Sequence, residues 1–338
     1  MTSPIRVSSL HSRWTLPTAV AVVLSAGVAW TCCMVPLSYP GDVDQARQDA
    51  VIFHHNGTQD LIARVQPVFP EGEKGPDKLM WILTLPSKPK QYAEVDGRVF
   101  EDAEKLAKSL AEVTKGPDRR RGIDEKSEPE SGSIEVSAPI RVGPFEITEV
   151  RAADGKSEAG ARALNEFLAK RGYPAESVEE LEWFTSRDFT FLCVQVFPPT
   201  GKTHFSSKIE TPALRVTFDT KRIYYPAKYS ARQGNFALGL TVLSSLPLDR
   251  ASMRDAKRKL KSIGSVANMS TRKVPGKLGE LISETPRLAK VSTWYVTALP
   301  SHGFNPAKKG DVGTIASWKD DVFLSLIPPR SSGGANGR

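Results

Sequence analysis

The chain has 338 residues, 40% of them hydrophobic and 25% charged, with a mean hydropathy of −0.30. These values exclude a polytopic membrane protein and a wholly disordered chain, and the length allows two domains or one elaborated one. Lys and Arg outnumber Asp and Glu by 46 to 38, a formal charge of +8, so where that excess sits decides whether a nucleic-acid partner is plausible.

Residues 1–29 contain Arg6 and Arg13, no acid, and the apolar run Ala19–Ala29 with small residues at Gly27 and Ala29. A basic start, a short apolar stretch and a small-residue exit form a secretory signal peptide cut after Ala29. The uncharged stretch runs further, from Trp14 to Gly41, so a retained single-pass anchor is the alternative. Pro17, Pro36 and Pro40, and an apolar heart shorter than the ~20 residues that span a bilayer, count against it. Ala29-Trp30-Thr31 is a poor lipoprotein box before Cys32. The expectation is export to periplasm, envelope or medium. In an oxidising compartment Cys32 or Cys33 could bridge to Cys193, tying the leading segment to the core and leaving one thiol over. The competing reading makes Cys193 a small buried hydrophobe.

Asp49–Phe53 and Asp60–Phe69 read as strands around His55-Asn56-Gly57, whose Asn-Gly pair signals a hairpin. Leu79–Leu85 is a continuous apolar strand, expected to be central and buried on both faces, and it stops at Pro86-Ser87-Lys88-Pro89. Phe100–Val113 keeps helical spacing. Residues 115–132 combine Arg119-Arg120-Arg121 with five acids, Pro, Gly and Ser, and are expected to form a mobile loop. Strands follow at Ile134–Val142 and Phe145–Val150, then a helix from Ser157 to Arg171 with Gly172 at its C-terminal cap. Ser177-Val178-Glu179-Glu180 is a capping box opening a short helix. Phe189–Phe197, Leu214–Phe218, Ile223–Tyr225 and Phe236–Leu243 are strand candidates. Beyond Pro247 come a basic helical piece, Met253–Ile263, and strands near Val291–Leu299 and Val322–Ile327. Strands come in runs, which predicts an α+β fold with mainly antiparallel sheets and a few amphipathic helices.

Gly143-Pro144-Phe145-Glu146-Ile147 followed by Leu164 to Pro174 resembles the strand-and-helix stretch of a bacterial exported family, domain of unknown function 2330. Met80 to Pro89, Phe189–Val196, Thr211 to Phe218 and Ile223-Tyr224-Tyr225-Pro226 resemble further motifs of that family, in the same order. The resemblance covers about residues 32–248. It implies an exported α+β domain over 30–250, followed by a basic extension over 251–338. It implies no chemistry, because the family has no assigned activity. Leu85 among the prolines, and Ala227-Lys228 after Tyr225-Pro226, depart from its pattern.

Chemical motifs are sparse. His54-His55 beside a turn could hold a metal with His204 or Asp60, but adjacent strand residues point to opposite faces, and no metal is expected. Gly201-Lys202-Thr203 has Val196 where a phosphate loop needs its leading glycine and Pro198-Pro199 inside, so it reads as a polar turn. Ser87 and Lys90 follow a strand and contain Pro between them, unlike a Ser-x-x-Lys nucleophile. Aromatic residues at Trp183-Phe184, Phe189-Phe191, Tyr224-Tyr225 and Trp294-Tyr295 read as core before they read as a ligand face. No catalytic or cofactor-binding residue is assigned. The expected function is a non-catalytic binding or scaffold module with an envelope or cell-surface partner; the alternative is an envelope hydrolase drawing on His54, Asp60 and His204.

The charge divides unevenly. Residues 30–250 hold 29 basic and 32 acidic residues, whereas residues 251–338 hold 15 and 6. No nucleic-acid partner is expected for so balanced a main region. Arg254, Lys257, Arg258, Lys259 and Lys261 form the densest patch, a solvated helix face or a polyanion contact.

Overall fold

The computed structural model describes residues 33–41, 44–69, 72, 74–111, 134–152, 157–206, 211–231, 237–259, 265–300 and 321–327. The expected signal segment 1–29, Cys32, the expected loop 115–132, Lys261 and His302 lie outside these residues. The fold is α+β with mostly antiparallel sheets.

The chain begins with β1 (Cys33–Met34), then β2 (Asp44–His55) and β3 (Thr58–Val68). Asn56 and Gly57 join β2 to β3 with φ of 49° and 72°, the left-handed pair that a two-residue hairpin turn requires. β4 (Leu79–Leu85) is buried at every position. β5 (Pro89–Val95) was not expected after the proline cluster. It forms because it is an edge strand with Pro89 as its first residue, where a missing N–H costs no ladder bond. α1 (Arg98–Ala111) follows.

The stretch Ile134–Val142 is two short strands, β6 (Ile134–Val136) and β7 (Ile140–Val142), both paired with β8 (Phe145–Ala152). α2 (Ser157–Ala169) ends at Gly172, whose φ of 77° and N–H bond to Ala169 close the helix as expected. α3 (Val178–Thr185) starts after Ser177, but the Ser177 side chain makes no capping hydrogen bond, so the expected capping box is not formed. β9 (Thr190–Val196), β10 (Ala213–Asp219), β11 (Ile223–Tyr225), α4 (Ala227–Ala231) and β12 (Ala237–Ser244) come next. The chain continues through α5 (Arg250–Lys259), β13 (Ser265–Ser270), α6 (Gly276–Glu284), α7 (Pro286–Ala289), β14 (Thr293–Pro300) and β15 (Val322–Leu324).

Two sheets stack. One runs β1-β4-β9-β8-β6, with β7 also on β8; the other runs β13-β14-β12-β2-β3-β10-β5. Within the second, β12 and β2 are parallel. Ile52, Leu61, Leu214, Val216 and Leu240 face the first sheet across a shared core, which continues to Ala161, Leu164 and Leu168 of α2 and Leu181 and Phe184 of α3. Val51, Phe53 and Ile62 point the other way, onto Phe100, Ala103 and Leu106 of α1, Leu278 and Ile282 of α6 and Leu288 of α7. The order of layers is therefore helices, sheet, sheet, helices, because each sheet has two apolar faces to cover.

The region after residue 250 is not an appendage. β14 lies between β12 and β13, and Trp294 and Val296 are fully buried, while β15 pairs with β11. The boundary inferred from charge fails because it marks a change in surface composition, while burial of β14 is set by its apolar face. Among the described residues no helix is long and apolar enough to cross a membrane.

Candidate functional site

The β2–β3 hairpin carries the residues that sequence alone singled out, and the pleat separates them. Phe53 pairs with Asp60 across the ladder and His54 with Gln59, so Asp60 shares a face with Phe53 and His54 points to the opposite one. Asp60 is completely buried. Its carboxylate accepts bonds from Thr217 Oγ1 at 2.5 Å and from Arg287, and pairs with Arg215 at 3.2 Å. Arg215 Nη1 also donates to Thr285 Oγ1 at 3.0 Å, and Arg287 Nη1 reaches the Thr58 carbonyl at 3.4 Å.

His54, also buried, has its Nε2 2.8 Å from the Thr220 carbonyl. That contact fixes the tautomer with hydrogen on Nε2, since a carbonyl can only accept. Burial holds its imidazole below the usual histidine range; the Thr220 carbonyl opposes this, and Arg287 and His55 add to it. His55, half-buried on the Asp60 face, is likewise lowered, by burial first and then by Arg287 and Lys290. Its Nδ1 is enclosed without a hydrogen-bond partner.

His204 is remote. Its neighbour Phe205 stacks on Phe69, just beyond the far end of β3, with ring centroids 6.1 Å apart. Nine residues of extended strand separate Phe69 from Asp60, about 30 Å at the usual rise. The triad His54, Asp60 and His204 is thus not assembled, and a shared metal site for them is not formed. Two sheet faces and one strand length keep them apart.

A second polar centre lies behind His54. Gln59 donates to the Tyr224 carbonyl at 2.7 Å and accepts from the Tyr224 N–H at 2.9 Å. The Tyr224 hydroxyl lies 3.0 Å from Thr84 Oγ1 and donates to Asp321 at 2.9 Å, whose other oxygen accepts the Lys228 N–H at 2.7 Å. A third centre joins Asp49 to Arg47 at 2.6 Å and to Arg64 at 3.0 Å, with the Arg64 guanidinium over the Phe100 ring. In all three a buried carboxylate is matched by named partners, which for Asp60 and Asp321 come from elements remote in the chain.

The other sequence candidates fall as follows. Ser87 Oγ donates to the Asp219 carbonyl and Lys90 pairs with the Asp219 carboxylate, so neither activates the other. Residues 199–202 form a turn closed by the Lys202 N–H on the Pro199 carbonyl at 3.0 Å. Phe184, Phe189, Phe191, Tyr224, Tyr225 and Trp294 are buried, which makes them core. Half-buried Trp183 has the Arg187 and Lys228 cations over its ring, at 4.4 and 4.8 Å. In α5, Met253 and Ala256 face the core and Arg254 and Lys257 are half-buried; nothing is described for the side chains of Arg258 and Lys259.

Cys193 is buried, carries no disulfide, and burial pushes its thiol up to about 12. Cys33 pairs with Trp81 on one side of β4 and Cys193 with Ile82 on the other. Two strand spacings of ~4.8 Å put their Cα atoms about 10 Å apart, beyond the ~7 Å limit for a bridge. A Cys33–Cys193 disulfide is therefore corrected to a buried free thiol.

Arg215, Arg287, Lys290 and Asp321 escaped sequence reasoning. The available signal was Arg215 between Leu214 and Val216, and Asp60 and Arg64 flanking Leu61-Ile62-Ala63, since charges among apolar strand residues need partners.

No protein-family model and no curated protein matches the chain. Among solved structures it is similar to baculovirus P35, with a TM-score of 0.43 and 10% identity over 86% of this chain and 99% of that one.

Proposed function

We propose that the chain is a non-catalytic binding or scaffold module of a bacterial cell envelope, exported by residues 1–29. It engages its partner through an exposed sheet edge. The observation that carries this reading is how the buried acids are used: Asp49, Asp60 and Asp321 each cross-link strands or helices through named partners. Asp49 and Asp60 are engaged by guanidinium groups and Asp321 by the Tyr224 hydroxyl and the Lys228 N–H, so each carboxylate serves as a joint. β6 closes its sheet, and Val136 on it is 47% exposed, as an edge awaiting a partner strand would be. The basic, then apolar, N-terminus supports export, as does the order of motifs that resembles domain of unknown function 2330.

Two measurements test the proposal. Expression of the full chain in a bacterial host, followed by N-terminal sequencing, is expected to find the envelope or medium form starting at Trp30. Recovery of the intact chain in the cytoplasm alone would refute export. A photo-crosslinker at Val136 is expected to give one discrete adduct with an envelope component, and the same probe at exposed Lys202 none. Equal labelling from both positions would remove the edge from the proposal.

A further inference from the structure

The turn end of the β2–β3 hairpin gathers more positive charge than the described acids there match. Arg215 and Arg287 meet there on Asp60, on the face of the second sheet covered by α7, Lys290 follows directly as the C-terminal cap of that helix, and Lys90 lies alongside on Asp219. The acids reached by these groups are Asp60, held by Arg215 and Arg287, and Asp219, held by Lys90 and also close to Arg287. Among the described residues four cations thus face two carboxylates, which leaves two charges unmatched there. Lys290 is exposed and has no ion-pair partner among the described residues, and the Arg287 side chain keeps 28% of its surface. His55 stands between them and the hairpin turn, half-buried, with its Nδ1 enclosed and unpartnered.

An imidazole nitrogen without a partner beside cations becomes a donor to an anion once the ring is protonated, since both nitrogens of the imidazolium carry hydrogen. A carboxylate would neutralise only one of the two surplus charges. A doubly charged tetrahedral oxyanion neutralises both and offers oxygens in several directions to an imidazole, a guanidinium and an ammonium. We propose that His55, Arg287 and Lys290 form a binding site for a single phosphate group. Arg287 is the preorganised member, since Asp60 and the Thr58 carbonyl already fix its orientation. Lys290 supplies the movable charge, and His55 the proton-dependent one. The site is distinct from the basic helix α5.

The test is calorimetric titration of the whole chain with inorganic phosphate and, separately, with sulfate, whose charge is constant through the histidine range. Lys290→Gln is expected to weaken phosphate about tenfold, the loss of one charge-assisted bond. Lys257→Gln on α5 is expected to leave it unchanged. Sulfate affinity is expected to rise as pH falls and His55 takes up its proton. The groups facing His55 in this titration are Arg287 from α7 and Lys290 at its C-terminal cap, Asp60 from β3 and Arg215 from β10, with His54 on the reverse face. His55→Gln is expected to abolish that pH dependence while the fold, read by circular dichroism, persists. Co-sedimentation with phosphatidylglycerol vesicles distinguishes the source: loss of vesicle binding in Lys290→Gln but not in Lys257→Gln marks a lipid headgroup, and free-phosphate binding without vesicle binding marks a soluble ligand. No saturable binding to phosphate or vesicles, or equal losses in Lys290→Gln and Lys257→Gln, would overturn the site.

Discussion

Strands β3 and β4 are buried almost equally, and they are held in opposite ways. β4 is Leu79-Met80-Trp81-Ile82-Leu83-Thr84-Leu85, all buried, and six of its seven side chains are apolar. β3 buries Leu61, Ile62 and Ala63 but also Gln59, Asp60 and Arg64, each tied by a bond or ion pair to a partner. An apolar strand needs only a shape to fill, and many neighbours can supply one. A strand with buried charges needs particular atoms at particular distances, so its partners specify register and sheet order as well as contributing stability. In β3 those partners are Arg215 and Arg287, far along the chain, and the cluster stitches β3, β10 and α7 into one unit.

The largest expected effect breaks the β3 side of this contrast. Asp60→Ala leaves two guanidinium groups on a largely buried face without their counter-ion, and is expected to cost about 3–5 kcal/mol in urea unfolding. A loss below about 1 kcal/mol, the worth of a surface pair, would show that the cluster does not hold the strand. Leu83→Ala in β4 is expected to cost about 2–5 kcal/mol through the cavity alone. Its cost should not change with salt. The two strands then separate further in a rescue experiment. Replacing Asp60, Arg215 and Arg287 together by Leu, Leu and Met is expected to recover most of the stability lost in Asp60→Ala, because an apolar cluster of similar volume avoids the desolvation of three charges. If the triple variant is no more stable than Asp60→Ala, the ion cluster is required for folding itself.

The smallest effect concerns pH. His54 and His55 are both held below their ordinary value of 6.5, chiefly by burial. As pH falls below about 6.5 the unfolded chain takes up protons that the folded chain refuses, so the unfolded state is favoured. Stability present above that pH is therefore lost as pH falls towards the folded-state values. His54→Gln, whose amide can still donate to the Thr220 carbonyl, is expected to flatten the fall of Tm between pH 7 and pH 5. An unchanged slope would assign the effect to His55 or to the carboxylates.

Much of the fold was legible in the sequence where the cause was local. Asn56-Gly57 dictated its turn because both residues tolerate positive φ, and Gly172 closed α2 for the same reason. The uninterrupted run Leu79–Leu85 announced a strand covered on both faces, and it is one. β5 was missed because its proline forbids only an interior position, and edge placement is not a local property. α6 and α7 were missed because Gly276, Gly279 and Pro286 are poor helix formers; their apolar residues Leu278, Ile282 and Leu288 are stabilised by packing against α1 and the second sheet.

The candidate site was legible in part. The sequence singled out Asp60 and His54-His55 at the hairpin, but as candidates for chemistry rather than as parts of a charge cluster. Nothing local linked Asp60 to Arg287, which is 227 positions away. The charge excess that distinguishes the chain was read as the mark of a separate extension, yet residues on both sides of position 250 contribute to the positive hairpin end. The sequence by itself determined most of the strands and where two turns fall. Only the tertiary structure decided that β12 lies parallel beside β2, that β14 belongs inside the sheet, and which cations answer which acids. The physical reason is range: turn and cap preferences act over a few residues, whereas pairing and charge matching depend on segments that meet only once the chain is folded.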